Sequence, residues 1–256
     1  MSIRYGQMCP VSKAAEVLGE RWTILILREL LLGTTRFNDF QRALSQISPT
    51  LLTKRLKQLQ ECGLVMRKTL PDQRRTEYQP TAAGKELKPI ILGLGEWGMK
   101  WARGQMNDDE LDVEMLMYDL HRRIDTSQLP GGRTVIKFHF LNLPKFGHWW
   151  IVLEENGKRE LCVHNPAKPV DVDLTTDLRT MAHVWAGDIE IRAAKDAGSL
   201  QLKGNPTLIR TISAWLRPGM FAHVRPRTDV LNKNQSGRAR RPDRKNPPGR
   251  RSLVSA

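Results

Sequence analysis

The sequence predicts an α+β protein of two domains followed by a disordered, basic tail. Three observations lead there. Apolar residues recur at 3–4 spacing from Val11 to Trp101, interrupted by a single pair of short extended runs. Beyond an acidic change of composition, "MNDDELDVEM" at Met106–Met115, alternating strand-like runs mix with helical ones. From Asn232 onward Arg, Pro, Gly, Ser and Asn dominate, a composition that cannot bury enough apolar surface to fold. The boundaries therefore fall at 1–106, 107–226 and 227–256, and 256 residues suit two domains better than one.

In the first domain Val11–Leu18 and Trp22–Leu32 read as amphipathic helices, and "RFNDFQRAL" sets Phe37, Phe40 and Leu44 on one stripe. A firmer start signal follows. Ser48 can accept from an unpaired N–H of the next turn, and Pro49 at the first helical position gives up a donor that would have had no partner. That helix should stop near Cys62-Gly63, where glycine supplies a left-handed exit. "LVMRKTL" and "TEYQPT" flank the polar turn "PDQRR" and read as a β-hairpin. From Thr81 one long helix is expected, with Ile90, Leu94, Trp97 and Trp101 at 4-3-4 spacing.

On a wheel of about 100° per residue, Leu52, Leu56 and Leu59 form the buried stripe of the Ser48 helix. Thr50, Thr53, Lys54 and Lys57 gather opposite. Such a face suits a DNA major groove, with lysines for phosphates and small polar groups for base edges. A solvated amphipathic helix would show the same wheel, so the neighbours decide. A helix and the short turn "SQIS" precede it, and a hairpin carrying Arg74 and Arg75 follows; helix-turn-helix and then basic wing is the order of a winged helix.

These segments resemble the HxlR-type winged-helix transcriptional regulators over about residues 5–104. The features that carry the resemblance are Cys9-Pro10, "RWTILILREL", "RFNDFQRAL", "ISPTLLTKRL", "GLV" and "YQPTAAG". It implies a homodimer on double-stranded DNA with near-palindromic operators, the second helix of the motif in the groove and the wing over a neighbouring minor groove. Ser48, Pro49, Thr50, Thr53, Lys54 and Lys57 would form the reading face, with Arg55 at its edge and Arg74 and Arg75 in the wing. Ile90, Leu94, Trp97 and Trp101, with the N-terminal segment, would make the two-fold contact; intradomain packing is the other reading for the tryptophans. Two reading helices would then lie roughly 34–36 Å apart, one turn of DNA.

In the second domain "VEMLMYDLHRRI", "LRTMAHVWAG" and "NPTLIRTISAWL" read as helices and "RTVIKFHFL", "HWWIVLEENGKRELCVH" and "PVDVDL" as strands. Asn156-Gly157 signals a two-residue hairpin loop, a register that sets Val152 opposite Leu161 and Trp150 opposite Val163. The helix entry at Asp173–Leu178, the Trp185–Asp188 step and "GSLQLKGNPTLI" resemble the sterol-carrier-protein type of domain over about residues 112–217. That resemblance implies an apolar cavity for a small hydrophobic ligand, with Phe138, Phe140, Trp150, Val152, Met181, Trp185, Leu208, Ile212 and Trp215 as candidate lining. A solid core is the plainer reading of the same residues.

Charge is unevenly distributed. Residues 1–106 hold 17 Lys/Arg against 9 Asp/Glu, residues 107–226 hold 15 against 16, and residues 227–256 hold 9 against 2, within a total of +14. A polyanionic partner is thus expected for the ends and not for the middle. No apolar run approaches the ~20 residues needed to cross a bilayer, and no signal peptide precedes the first helix, so stable membrane insertion is not expected and a cytoplasmic location is. Cys9, Cys62 and Cys162 make no disulfide framework. The resemblance to the HxlR-type regulators makes Cys9 a candidate redox sensor, and Lys13, one turn away, would lower its pKa; a structural thiol is the other reading. Histidines 121, 139, 148, 164, 183 and 223 show no metal spacing, and Cys162 and His164 share a strand face without an orienting third group. No metal, cofactor or catalytic residue is expected. The sequence reads as a DNA-binding regulator and not an enzyme. Two other readings stand beside it: a lipid carrier whose winged helix serves dimerisation, and a redox regulator acting through Cys9.

Overall fold

The computed structural model describes residues 4–70, 75–103 and 110–227. The expected domain boundary, Arg74 and all but the first residue of the expected tail lie outside these.

The first unit runs α1 (Pro10–Leu18), α2 (Thr23–Leu31), α3 (Phe37–Ala43), α4 (Pro49–Glu61), β1 (Val65–Leu70), β2 (Arg75–Pro80), α5 (Ala82–Glu86) and α6 (Lys88–Trp97), then a π-helical turn over Gly98–Ala102. Ile26, Leu27, Phe40, Leu52, Leu56 and Val65 meet in one core. Ser48 caps α4 as its sequence position requires, its hydroxyl accepting from Leu51 N–H at 3.3 Å. β1 and β2 pair antiparallel, with Lys68 opposite Glu77. Tyr78 N–H donates to Thr35 O at 2.8 Å, which seats the hairpin on the α2–α3 connection. This is a winged helix.

The long helix expected from Thr81 is broken at Leu87. Pro89 has no N–H to donate to the carbonyl one turn back, so the chain ends α5 and begins α6 with Pro89 in its first turn. A Cβ on Gly84 would lie 2.2 Å from Leu64 O, so glycine lets α5 approach the start of the hairpin.

The second unit is a sheet with helices on one face. Its elements are α7 (Val113–Arg123), β3 (Thr134–Phe140), β4 (His148–Leu153), β5 (Arg159–Cys162), β6 (Val172–Thr176), α8 (Leu178–Ala186), α9 (Ile191–Asp196), β7 (Leu200–Gly204), α10 (Pro206–Arg210) and α11 (Ile212–Trp215). The strands lie in the order β5-β4-β3-β6-β7, antiparallel except for β3 beside β6. Alternate residues Ile136, Phe138 and Phe140 of β3 and Ile151 and Leu153 of β4 face the helices, where Leu120, Met181 and Trp215 complete the core.

Three expectations for this unit are corrected. The hairpin register places Trp150 opposite Cys162 and Val152 opposite Glu160, not Val163 and Leu161. The loop has three residues, 155–157; Glu154 N–H donates to Lys158 O at 2.9 Å and Gly157 takes φ 79°, the αL residue of a bulged turn. Trp150 and Val152 lie opposite Lys137 and Val135 of β3, and so point to the other side of the sheet from Phe138 and Phe140, into a separate small cluster with Val135. β6 begins at Val172, later than "PVDVDL" suggests, and α9 and β7 are elements that the sequence pattern does not announce.

The two units share an interface through α7. Tyr118 packs on the winged-helix core, and its hydroxyl lies 3.3 Å from that of Thr34. The Ser45 hydroxyl donates to Asp112, which also caps α7. Arg122 reaches Glu29 of α2 at 2.7 Å. Among the described residues no helix is long and apolar enough to cross a membrane.

Candidate nucleic-acid interface

α4 divides cleanly by burial. Leu52, Leu56 and Leu59 are buried in the core, while Ser48, Pro49, Thr50, Thr53, Lys54 and Lys57 are all exposed. The 100° step of the helix produces this division: positions 52, 56 and 59 recur on one side and 50, 53, 54 and 57 on the other. Thr53 donates its hydroxyl to Pro49 O at 2.9 Å, which fixes the side chain and leaves the oxygen as an acceptor. Lys54 has no carboxylate within ion-pair distance among the described residues, and Lys57 makes only a long contact of 3.8 Å with Glu61. Both ammonium groups are therefore open to an external anion.

Arg55 does not belong to this face. Its relative exposure is 7 %, and its guanidinium meets Glu20 at 2.7 Å, Arg21 O at 3.0 Å and Gln58 at 2.7 Å. It lies three residues after Leu52 and four before Leu59, on the inward side, so it fastens α4 to the end of the α1–α2 region.

In the wing, Arg74 is outside the described residues, and Arg75 opens β2 opposite Leu70. Exposed Arg67 and Lys68 of β1 add two cations beyond those expected there. Their position in "LVMRKTL", within a strand leading to the turn, is the sequence signal for them.

Of the expected two-fold contact, Ile90, Leu94 and Trp97 are exposed at 55, 48 and 60 %. They form an apolar stripe at helical spacing on α6. Trp101 is half-buried, with the guanidinium of Arg227 5.1 Å above its ring. Cys9 is exposed at the start of α1, but Lys13 directs its ammonium to Glu16 at 3.0 Å and not to the thiol. Cys162 is half-buried on β5; burial, then the Glu160 charge, pushes its thiol pKa up, the wrong direction for a nucleophile.

The expected ligand pocket is not one place. Phe138, Phe140, Leu208, Ile212 and Trp215 pack as core, and Trp150 and Val152 lie across the sheet. Of the expected lining, only Met181 and Trp185 border a substantial cleft, of about 450 Å³, between α8, α9 and the segment 216–225. Polar groups within the core add to its solidity: Trp215 Nε1 donates to Leu208 O at 2.9 Å.

Against known proteins, residues 17–106 match the family described as HxlR-like helix-turn-helix. The chain is 39 % identical over 97 residues to the uncharacterized HTH-type transcriptional regulator YvaP of Bacillus subtilis (strain 168), covering 37 % of this chain and 90 % of that one. It is 36 % identical over 97 residues to the uncharacterized HTH-type transcriptional regulator sll1512 of Synechocystis, covering 38 % and 72 %. The solved structure of the reduced form of the transcriptional regulator YodB from B. subtilis is 32 % identical, with a TM-score of 0.33, covering 36 % of this chain and 92 % of that one. With a relative matched over nine-tenths of its own length at this identity, the chain belongs to the HxlR-like helix-turn-helix family.

Proposed function

We propose that the protein is a DNA-binding transcriptional regulator that acts as a homodimer on near-palindromic operators, with α4 in the major groove and the β1–β2 wing against a neighbouring minor groove. The observation that carries this reading is the exposed Thr50, Thr53, Lys54 and Lys57 face of a firmly capped helix whose other side is anchored by three leucines and Arg55. Small polar groups read base edges, and exposed lysines neutralise phosphates. Membership of a family whose relatives are named HTH-type transcriptional regulators supports it.

A second copy would cover the Ile90, Leu94 and Trp97 stripe, since apolar residues grouped on an exposed helix favour an interface. We further propose that the second unit is of the sterol-carrier-like type and modulates DNA binding through a hydrophobic ligand. Support comes from its helix-covered mixed sheet and from the cleft beside Trp185. A ligand regulates only if it binds the DNA-competent and incompetent dimers unequally.

Gel retardation with DNA from upstream of the protein's own gene, against unrelated competitor, tests the regulator reading. Specific retardation is expected; retardation equal to that of competitor DNA would leave α4 without its role.

A further inference from the structure

We propose that the cleft between α8, α9 and residues 216–225 binds a small apolar organic anion, and that the winged helix senses its occupancy through Trp185 and through Phe221. The proposal rests on the ligand-modulated reading above and gives it a site, a ligand class and a route.

The cleft's volume of about 450 Å³ is that of a small-molecule site, for which ~300–1,000 Å³ is usual. Leu120, Met181, Val184, Trp185, Ile191 and Leu216 supply apolar wall. At the rim, Arg225 spends one guanidinium nitrogen on Gly187 O at 2.6 Å and Ala222 O at 3.2 Å, which fixes its position. No carboxylate among the described residues pairs with it. Arg217 also lines the rim, held by Asp125 at 3.0 Å. Asp125 already takes Arg217, so the group open to an external anion is Arg225, the lining guanidinium without a carboxylate partner among the described residues.

Two rigid connections leave this wall for the first unit. Trp185 Nε1 donates to Asp119 at 2.7 Å; Arg122 donates to the other oxygen of Asp119 at 2.7 Å and to Glu29 of α2 at 2.7 Å. The second connection is steric. Gly219 N–H donates to Trp185 O at 2.6 Å, and two residues on, the Phe221 ring fills the space above Gly95 of α6, where a Cβ would lie 2.1 Å from the ring. Segment 216–225 is therefore at once a wall of the cleft and the seat of α6. In close-packed material, a wall displaced by an occupant displaces what rests on it.

The test uses the full chain and two fluorescent probes of like ring framework, anionic anilinonaphthalene sulfonate and uncharged N-phenylnaphthylamine. Amide hydrogen exchange is followed with and without probe. The sulfonate should bind about tenfold or more tightly than the amine, as one charge-assisted contact allows. Ser213→Trp, at an exposed position lining the cleft, should abolish that binding, and Arg225→Met should remove the preference for the anion. Bound sulfonate should slow exchange in both α2 and α6. Equal affinity for the two probes, no binding, or binding indifferent to Ser213→Trp would overturn the site. Protection confined to residues 110–227 would overturn the coupling. None of these readouts uses DNA, so a failure to bind an operator would bring down the regulator reading and leave this result standing.

Discussion

Glu29 and Arg122, 93 residues apart in the chain, meet at 2.7 Å in the joint between the winged helix and the sheet-bearing unit. Glu29 is 1 % exposed and also takes Arg28 at 2.7 Å and the Thr34 hydroxyl at 3.2 Å. Burial opposes the charge on Arg122, but Glu29 and Asp119 outweigh it and raise its pKa. This buried ionic cluster joins the two units beside the Ser45–Asp112 and Phe221–Gly95 contacts.

Removing one partner from such a cluster leaves a charge in a poor solvent. Arg122→Met should destabilise the protein by about 2–3 kcal/mol, less than the ~3–5 kcal/mol of a broken buried pair because Arg28 remains on Glu29. Urea unfolding gives the value. A loss under about 0.5 kcal/mol, the usual effect of a surface change, would show that the cluster holds nothing together.

His121 predicts a pH dependence in the same joint. Burial, reinforced by the charges of Arg159, Arg42 and Arg122 and only partly offset by a hydrogen bond with the Arg159 backbone, lowers its pKa to about 4. In the unfolded chain the imidazole titrates near ~6.5. Between these values the unfolded state holds more protons, so stability falls as pH drops from about 6.5 and the loss is complete below about 4. The loss is about 3 kcal/mol. Urea midpoints measured across this range should show it, and His121→Phe should remove most of it. An unchanged slope in the variant would assign the acid sensitivity to other groups.

Much of the first unit is legible in the sequence because its signals are local. Ser48-Pro49 fixes where α4 begins, and the leucine spacing fixes which side is buried. Arg55 is harder to place because helical angle sets it at a boundary, and only the tertiary position of Glu20 and Arg21 O draws it inward. The β4–β5 register escapes the sequence because Asn156-Gly157 fits a two-residue loop, whereas Gly157 serves as the αL residue of a three-residue one. That one-residue slip reverses which side a strand residue takes relative to its partner. The cleft is hidden for a different reason. Apolar residues mark a core and a pocket alike, and this pocket's outer wall, residues 216–225, is closed by contacts with α6 and α8 that no periodicity encodes.

The α6 stripe predicts assembly. In sedimentation experiments the protein should be a dimer, and Leu94→Glu or Trp97→Glu should weaken association about a hundredfold or more, since either places a charge in an apolar contact. Both positions are exposed within the single chain, so the melting of the isolated subunit should change little. A dimer that survives both substitutions would move the two-fold contact elsewhere.

If α4 carries DNA through its exposed lysines, a salt-dependent titration of operator DNA from upstream of the protein's own gene will register them. The intact chain is compared with the double variant Lys54→Ala and Lys57→Ala. Removing one lysine from a phosphate should lower the slope of log affinity against log salt by about 1, so the double variant should bind more weakly, with a slope shallower by about 2. Unchanged affinity and slope in the double variant would contradict it.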